Sequence, residues 1–195
     1  MIRRTLFATL AAVAFAAVGI PQTASATTIM QTTEAERIEM ADLIVRGQVI
    51  EMWTEQGERG RVKTRVMVEP TTVLKGQAPD GPIIITQAGG TLSGHHSLIE
   101  GSARYNVGEE VLLLLEHKER FGTYVTISLA YGKYSVRLDP YTRREVAQLS
   151  IVPGHVKYDH RFLPFPAEEN KLFVDDLETK ISDIVAGRFQ AEVAQ

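Results

Sequence analysis

The chain of 195 residues contains no cysteine, and this absence removes a common support of small exported domains. Such domains often depend on disulfides, so here the folded state must rest on apolar burial and hydrogen bonding. The absence also excludes a bacterial lipoprotein, because no cysteine follows the leader to carry the lipid.

Sequence motifs for nucleotide binding and for nucleophilic catalysis are missing as well. The chain has no P-loop, no GxGxxG dinucleotide fingerprint and no calcium loop. Gly90 stands three residues before Ser93 rather than two, so the Gly-x-Ser-x-Gly elbow of serine hydrolases is absent. We therefore assign no catalytic residue, expect no cofactor, and expect a non-catalytic protein.

The first 26 residues have the order of features that marks a secretory signal peptide. Arg3 and Arg4 form a short cationic start, residues 6–20 are uncharged and apolar, and Ala24 and Ala26 offer the small residues that signal peptidase requires. The apolar run of 15 residues is shorter than the roughly 20 that a membrane-spanning helix needs. We expect cleavage near Ala26, no transmembrane segment in the mature protein, and a periplasmic or extracellular location.

Residues 27–195 are expected to form one domain. Their 169 residues are enough for a single apolar core. Without Arg3 and Arg4 the net charge moves from −3 to −5. A field of this sign does not steer a protein towards nucleic acid, so no nucleic-acid partner is expected.

The pattern of apolar residues predicts a mainly β domain with a helix near each end. Thr33 and Glu36 fit a capping box and predict a helix over 34–40. Apolar residues at 3.6-residue spacing predict an amphipathic helix over 170–186, whose apolar stripe is Phe173, Leu177, Ile181, Ile184 and Val185. Between them, period-two alternation and β-branched runs predict short strands, which together indicate an antiparallel barrel or sandwich. The expected strands are 43–53 with a bulge at Gly47, 61–69 bending at Pro70, 82–86, 111–115, 124–129 and 133–138.

Three segments lack a clear period. Residues 88–104 contain four glycines and are expected to form a long loop, a feature that is usually functional or mobile in a domain of this size. Residues 143–151 are compatible with an extension of the sheet or with irregular structure. Residues 153–166 hold three prolines and are expected to be irregular.

Two runs of the chain resemble the first half of netrin-like domains. Residues 41–49 read alanine-aspartate, apolar strand, arginine-glycine, apolar strand, and residues 66–76 end in leucine-lysine-glycine. The double glycine at 89–90 and the glycine-glutamate before the apolar strand at 107–113 are also similar to uncharacterised exported bacterial proteins with the same opening. The resemblance covers about residues 34–137 and implies a five-stranded OB-type barrel with flanking helices.

Netrin-like domains include the inhibitory domain of tissue inhibitors of metalloproteinases, but the resemblance does not carry over protease inhibition. Those animal inhibitors chelate the zinc of the enzyme through an N-terminal cysteine, which this chain lacks. Thr27, at the expected mature N-terminus, would imitate only the free amine. Protease inhibition through Thr27 and a neighbouring edge stays open as an alternative function.

The candidate ligand-binding residues fall in two groups. Gly90, Ser93, His95 and His96 belong to the glycine-rich segment, where the two imidazoles would suit a transition metal if a third ligand joined them. Adjacent histidines on a strand point to opposite faces, so solvated side chains are the competing interpretation. The second group is Tyr131, Lys133 and Tyr134, which would form an aromatic and basic binding face of an OB barrel or would pack in the core.

From these residues we expect a binding or interaction module whose partner is a protein or a glycan in the cell envelope or outside the cell. A metal-binding protein or metalloenzyme that uses His95, His96 and a further histidine is the alternative from another class. His117, His155 and His160 are the candidates for that further ligand.

The leader makes a direct prediction about the exported protein. Because the small residues of the cleavage site end at Ala26, the secreted form is expected to begin near Thr27. Intact-mass measurement of protein recovered from the exporting cell checks this. An N-terminus at Met1, with the apolar run retained, would contradict the interpretation.

Overall fold

A computed structural model of the chain describes residues 32–57, 60–97, 99, 101–149 and 171–188. The expected signal peptide, the proline-containing segment 153–166 and the histidines within it lie outside the described residues. The described part is mainly β, with two α-helices.

The described elements are two α-helices, ten strands and two short 3-10 helices. In chain order they are α1 (Glu34–Met40), β1 (Leu43–Gln56), β2 (Val62–Lys75), β3 (Ile83–Ala88), β4 (Gly90–Leu92), β5 (His95–Ser97), β6 (Glu110–Lys118), β7 (Thr123–Thr126), β8 (Lys133–Leu138), β9 (Glu145–Leu149), β10 (Lys171–Phe173) and α2 (Val174–Val185), with 3-10 turns at Glu119–Phe121 and Leu129–Gly132.

Side chains bind the backbone groups at both ends of helix α1. The Thr33 hydroxyl accepts from the Glu36 N–H at 3.2 Å, and the Glu36 carboxylate accepts from the Thr33 N–H at 2.7 Å, which confirms the capping box. At the other end Lys75 Nζ donates to the carbonyl oxygens of Ile38 and Glu39, at 2.9 and 2.7 Å. This lysine therefore joins the end of β2 to the C-terminus of α1.

The strands pair in a circuit with an extension. β1 is antiparallel to both β2 and β6, β2 to β3, and β6 to β7, while β3 and β7 meet in parallel at Ile85 and Tyr124. Pairing thus runs from β1 through β2, β3, β7 and β6 back to β1. Strand β8 pairs with β6 on the side opposite β1, next to β7 along that side, and β9 and β10 continue the sheet from β8.

Strand β6 separates two apolar cores. The sequence predicts a strand buried on both faces at 111–115, and all five of these side chains are fully buried. Alternation sends Leu112 and Leu114 to one core and Val111, Leu113 and Leu115 to the other. The first core is covered by α1 and α2, and the second lies between β1, β2, β3 and β6.

Parts of the sequence prediction were wrong. The segment 88–104 is not wholly irregular, because β4 and β5 pair within it as a hairpin. Strand β7 ends at Thr126 rather than at 129, because Ser128 and Leu129 have φ of 50° and 57° and turn the chain into a 3-10 helix. Phe173 belongs to β10, where it pairs with Val146.

The C-terminal helix keeps most of its predicted apolar stripe. Leu177, Ile181 and Ile184 are buried, whereas Val185 is 45% exposed and does not belong to the buried face. Gly187 follows the helix with a φ of 67°, the left-handed conformation that commonly ends a helix. Among the described residues, no helix has the length and apolar character needed to cross a membrane.

Gly47 tests how closely β1 and β2 approach. It lies at the predicted bulge, where the β1–β2 register shifts between Arg46 and Gly47, and a Cβ there would overlap the Glu69 carbonyl oxygen. Gly47→Ala is expected to destabilise the fold by about 1–3 kcal/mol through this overlap, as measured by denaturant unfolding. The control Gly81→Ala meets no atom within 4 Å and bears only its left-handed φ of 96°. A stability of Gly47→Ala equal to that of the parent would contradict the close approach.

Candidate functional site

The β4–β5 hairpin lies within the glycine-rich segment 88–104. Its tip is the two-residue turn Ser93-Gly94, and both residues have positive φ, 50° and 79°. A two-residue turn of this kind matches the twist of the strands it joins, which is why it closes a short hairpin well. The serine-glycine pair between two β-forming stretches was the sequence signal for this turn.

The base of the hairpin is fixed against β1 and β2. The Gly89 N–H donates to the Val62 carbonyl at 2.9 Å, and the Thr64 hydroxyl donates to the Gly89 carbonyl at 2.8 Å. At Gly90, a Cβ would lie 2.5 Å from Thr64 Oγ1 and 2.9 Å from Thr54 Cγ2. Gly90 is therefore a close-packing residue that lets the hairpin cross these strands.

The rest of the hairpin is presented to solvent. Ser93, His95 and His96 are exposed, and Leu92 is partly buried. Thr91 and His96 lie opposite each other, with 2.8 Å between Thr91 Oγ1 and His96 Nδ1. This bond holds one ring nitrogen of His96, so the imidazole is positioned before any ligand arrives.

The histidines do not gather into a metal centre within the part of the chain that the structure describes. There, no group of three or more His, Cys, Asp or Glu side chains is arranged to hold a metal ion. His117 lies at the end of β6, with its ring 4.9 Å from that of Tyr124. His155 and His160 are outside the described residues, so the metal hypothesis gains no third ligand from this structure.

The second predicted group, Tyr131, Lys133 and Tyr134, is buried and divided between two faces. Their exposures are 5%, 1% and 1%, so none of them offers a surface to a ligand, and the burial favours core packing. Tyr134 donates to Glu34 Oε1 at 2.7 Å, and burial raises its pKa well above the usual range. The ring of Tyr131 lies 5.4 Å from the guanidinium of Arg37.

Lys133 instead belongs to a buried polar cluster that sequence reasoning missed. Its Nζ is 2.5 Å from Glu109 Oε1 and 2.9 Å from Ser135 Oγ, and it lies 5.3 Å from the ring centre of Tyr105. The sequence offered little indication of this cluster, since Glu109 and Lys133 are 24 residues apart. Only the pairing of β6 with β8 brings Glu109 close to Lys133 and Ser135.

This cluster has the atoms of a serine–lysine pair but not the hydrogen-bond arrangement of a nucleophile and its base. Burial would raise the pKa of Glu109, but bonds from Lys133 and Ser135 and the charge of Lys133 outweigh it and lower that pKa. Burial lowers the pKa of Lys133, although the carboxylate 2.5 Å away favours its protonated form. Lys133 Nζ donates to Ser135 Oγ, and the Ser135 hydroxyl donates to Glu109 Oε1 at 2.5 Å, so the lysine is a hydrogen-bond donor to the serine and does not accept its proton.

Comparison with models of known protein families found no match, and comparison with curated proteins found no significantly similar sequence. Inferences about function therefore rest on the residues and geometry described above.

The Lys133–Glu109 pair is expected to stabilise the fold and to make that stability depend on pH. Lys133→Met should cost about 3–5 kcal/mol in urea unfolding, because it leaves a partly buried carboxylate uncompensated. Adding Glu109→Gln should recover most of that loss. The folded-state pKa of Glu109 lies below its unfolded value, so its contribution is present above the unfolded pKa and is lost as pH falls through the folded pKa.

The double variant should therefore show a shallower loss of stability on acidification than the parent. The comparison is made by repeating the unfolding curves from neutral to acidic pH. The pair does not act as a unit if the losses of Lys133→Met and Glu109→Gln add up in the double variant, and if the double variant loses stability on acidification as steeply as the parent.

Proposed function

We propose that the circuit of strands is an OB-type barrel of the netrin-like kind, extended by β8, β9 and β10. The succession β1, β2, β3, β7, β6 and again β1, with one parallel contact between β3 and β7, supports this assignment. The helices α1 and α2 then pack outside the ring, on the core that contains Leu112 and Leu114.

The residues that carry the netrin-like resemblance meet at one corner of the fold, which supports reading them as one structural motif. A Cβ at Gly76 would overlap the Asp42 carbonyl oxygen, and Asp42 Oδ2 accepts from the His117 N–H at 2.8 Å. Lys75 binds the last carbonyls of α1. Asp42, Lys75 and Gly76 thus connect α1, β1, β2 and β6 at this corner.

We further propose that the protein is an exported, non-catalytic binding module of the periplasm or the extracellular space. The observation that carries this proposal is the β4–β5 hairpin, an exposed loop whose two strands pair with each other and whose base is hydrogen-bonded to β2. Loops held on a rigid sheet are the usual place for binding residues. An ordered loop also loses less conformational entropy on binding than a flexible one.

The chemistry of the hairpin suits a polar partner surface. Ser93, His95 and His96 supply donors and acceptors, and Leu92 adds a partly buried apolar group beside them. Such a mixture fits a protein or a glycan, which are the partners expected from the sequence. Thr91 contributes indirectly, because its hydroxyl fixes the orientation of His96.

The double variant His95→Ser/His96→Ser tests the hairpin. Loss of both imidazoles is expected to weaken capture of the partner by about tenfold or more, because the two large exposed rings are removed while the backbone of the hairpin remains. The measurement is quantitative mass spectrometry of species retained from the native envelope by immobilised parent and variant protein, with a parallel screen of envelope glycans.

His117→Ser is the matched control, because His117 is also exposed but lies on β6, outside the hairpin. It should retain the same species as the parent protein. The proposal is wrong if the double variant and the parent retain identical species in equal amounts.

A further inference from the structure

Among the residues that the structure describes, the second half of β1 is paired on one side only and forms an open edge of the sheet. Up to Gln48, β1 is paired on both sides, with β2 and with β6. The contact with the β6 side ends at Val49, whose N–H donates to the Glu109 carbonyl at 2.9 Å and whose carbonyl accepts from Gly108 at 2.7 Å. From 51 to 56, β1 pairs only with β2, and its other side makes no backbone bond to the described residues.

Alternation identifies the backbone groups on this open edge. Gly57 donates to the Arg61 carbonyl at 2.6 Å, so these two residues form a hydrogen-bonded pair. In an antiparallel ladder such pairs alternate with pairs whose N–H and C=O groups point away from each other. Gln56 is therefore a residue whose N–H and C=O groups point away from β2, towards the open side. The same holds at every second residue before it, which gives Thr54 and Met52.

The open edge contains neither proline nor lysine, two residues that commonly prevent strand pairing. Its charged residues are Glu51 and Glu55, and the register shift of β1 lies before it, between Val49 and Glu51. A second open stretch lies on β2, after the residues that pair with β3, and it contains Pro70. The stretch 51–56 contains no proline and no lysine, and Met52, Trp53 and Thr54 are residues that fit a sheet.

We propose that this edge pairs with the same edge of a second copy of the chain. The two β1 strands would run antiparallel across a two-fold axis at Thr54, so that each copy offers the N–H and C=O groups of Met52, Thr54 and Gln56. In this register Thr54 faces its own copy, Met52 faces Gln56, and Trp53 faces Glu55. The two sheets would then continue as one, with an isologous interface.

The charges on β1 favour the register with the axis at Thr54 over the registers with the axis one residue to either side. An axis at residue 53 would set Glu51 opposite Glu55, and an axis at residue 55 would set Glu55 opposite itself. The axis at Thr54 opposes no like charges. Glu55 is moreover balanced within its own chain, because Lys63 and Arg65 lie 3.0 and 2.9 Å from its carboxylate and lower its pKa to about 2.

Trp53 gives the interface a spectroscopic reporter. It is the one tryptophan of the chain. With Trp53 opposite Glu55, the two Trp53 side chains occupy diagonal positions on one face, a separation that large aromatic side chains can bridge. Because one strand pair buries little area, the dimer is weak and forms with rising concentration.

Sedimentation velocity of the purified protein tests the proposal, over a range from about 1 μM to about 500 μM. The parent is expected to shift from monomer to dimer, with a parallel change in Trp53 emission. Thr54→Pro removes an N–H that the fold itself does not use and is expected to stay monomeric. Val73→Pro, on the stretch of β2 that already contains Pro70, is expected to dimerise like the parent.

A second pair of variants keeps the test independent of the proline. The chain has no cysteine, so Thr54→Cys introduces a single thiol at the two-fold axis, where paired Cα atoms lie within disulfide range. Oxidation should link Thr54→Cys into a dimer. It should leave Thr64→Cys monomeric, because Thr64 pairs with Thr54 inside the sheet.

A parent that stays monomeric throughout, including one that pairs only with a strand of another protein, would overturn the proposal. Dimerisation of Thr54→Pro equal to that of the parent, or failure of Thr54→Cys to cross-link, would overturn it as well. Thr54 also contacts the base of the hairpin at Gly90, so the binding proposal is tested separately, on the His95→Ser/His96→Ser variant, in which the open edge is unchanged.

Discussion

The fold depends on the complete burial of the five apolar residues 111–115 on strand β6. Each contributes about 1.5–3 kcal/mol when it is fully removed from water, and the sum is comparable to the entire net stability of a typical domain. In a chain without cysteine, no covalent link substitutes for this burial. Because β6 pairs with β1, β7 and β8, it is also the strand that joins the circuit to its extension.

Polar contacts complement this burial by fixing how the layers are oriented. Arg46 on β1 reaches Glu110 on β6 at 2.6 Å, Glu145 on β9 at 2.7 Å and Glu178 on α2 at 3.9 Å. Ion pairs with partly exposed carboxylates add little net stability. Their value here is geometric, since one guanidinium connects four elements that contribute to the same core. Arg144 acts similarly, with bonds to Asp175 and its guanidinium 3.6 Å from the ring centre of Phe173.

Elements with a local cause were predictable from the sequence, and elements with a distant cause were not. The capping box of Thr33 and Glu36, the buried run of β6 and the bulge at Gly47 each follow from a few neighbouring residues, and the structure contains all three. The hairpin was missed as secondary structure because strands of three residues are too short to show a period. Phe173 fitted the helical stripe by spacing, yet pairing with β9 made it a strand residue.

Side-chain partnerships were the least predictable level of the candidate site. Tyr131, Lys133 and Tyr134 are close in sequence, but a turn and strand alternation send them to different surroundings. The carboxylate that meets Lys133 comes from the turn before β6, a position that only the strand pairing reveals. Ser93, His95 and His96 are exposed, as the interpretation of solvated side chains expects, and their role in binding stays a prediction.

The bend of β1 explains why both candidate surfaces lie in one region of the molecule. The register with β2 shifts near Ile44, Gly47 and Ile50, so β1 follows β6 in its first half and leaves it in its second. The departing half stays with β2, and Thr54 and Thr64 lie opposite each other there, on the face shared with Met52 and Val66. The hairpin crosses that face at Gly90. The irregularities of one strand thus create the open edge and also the platform that fixes the exposed loop.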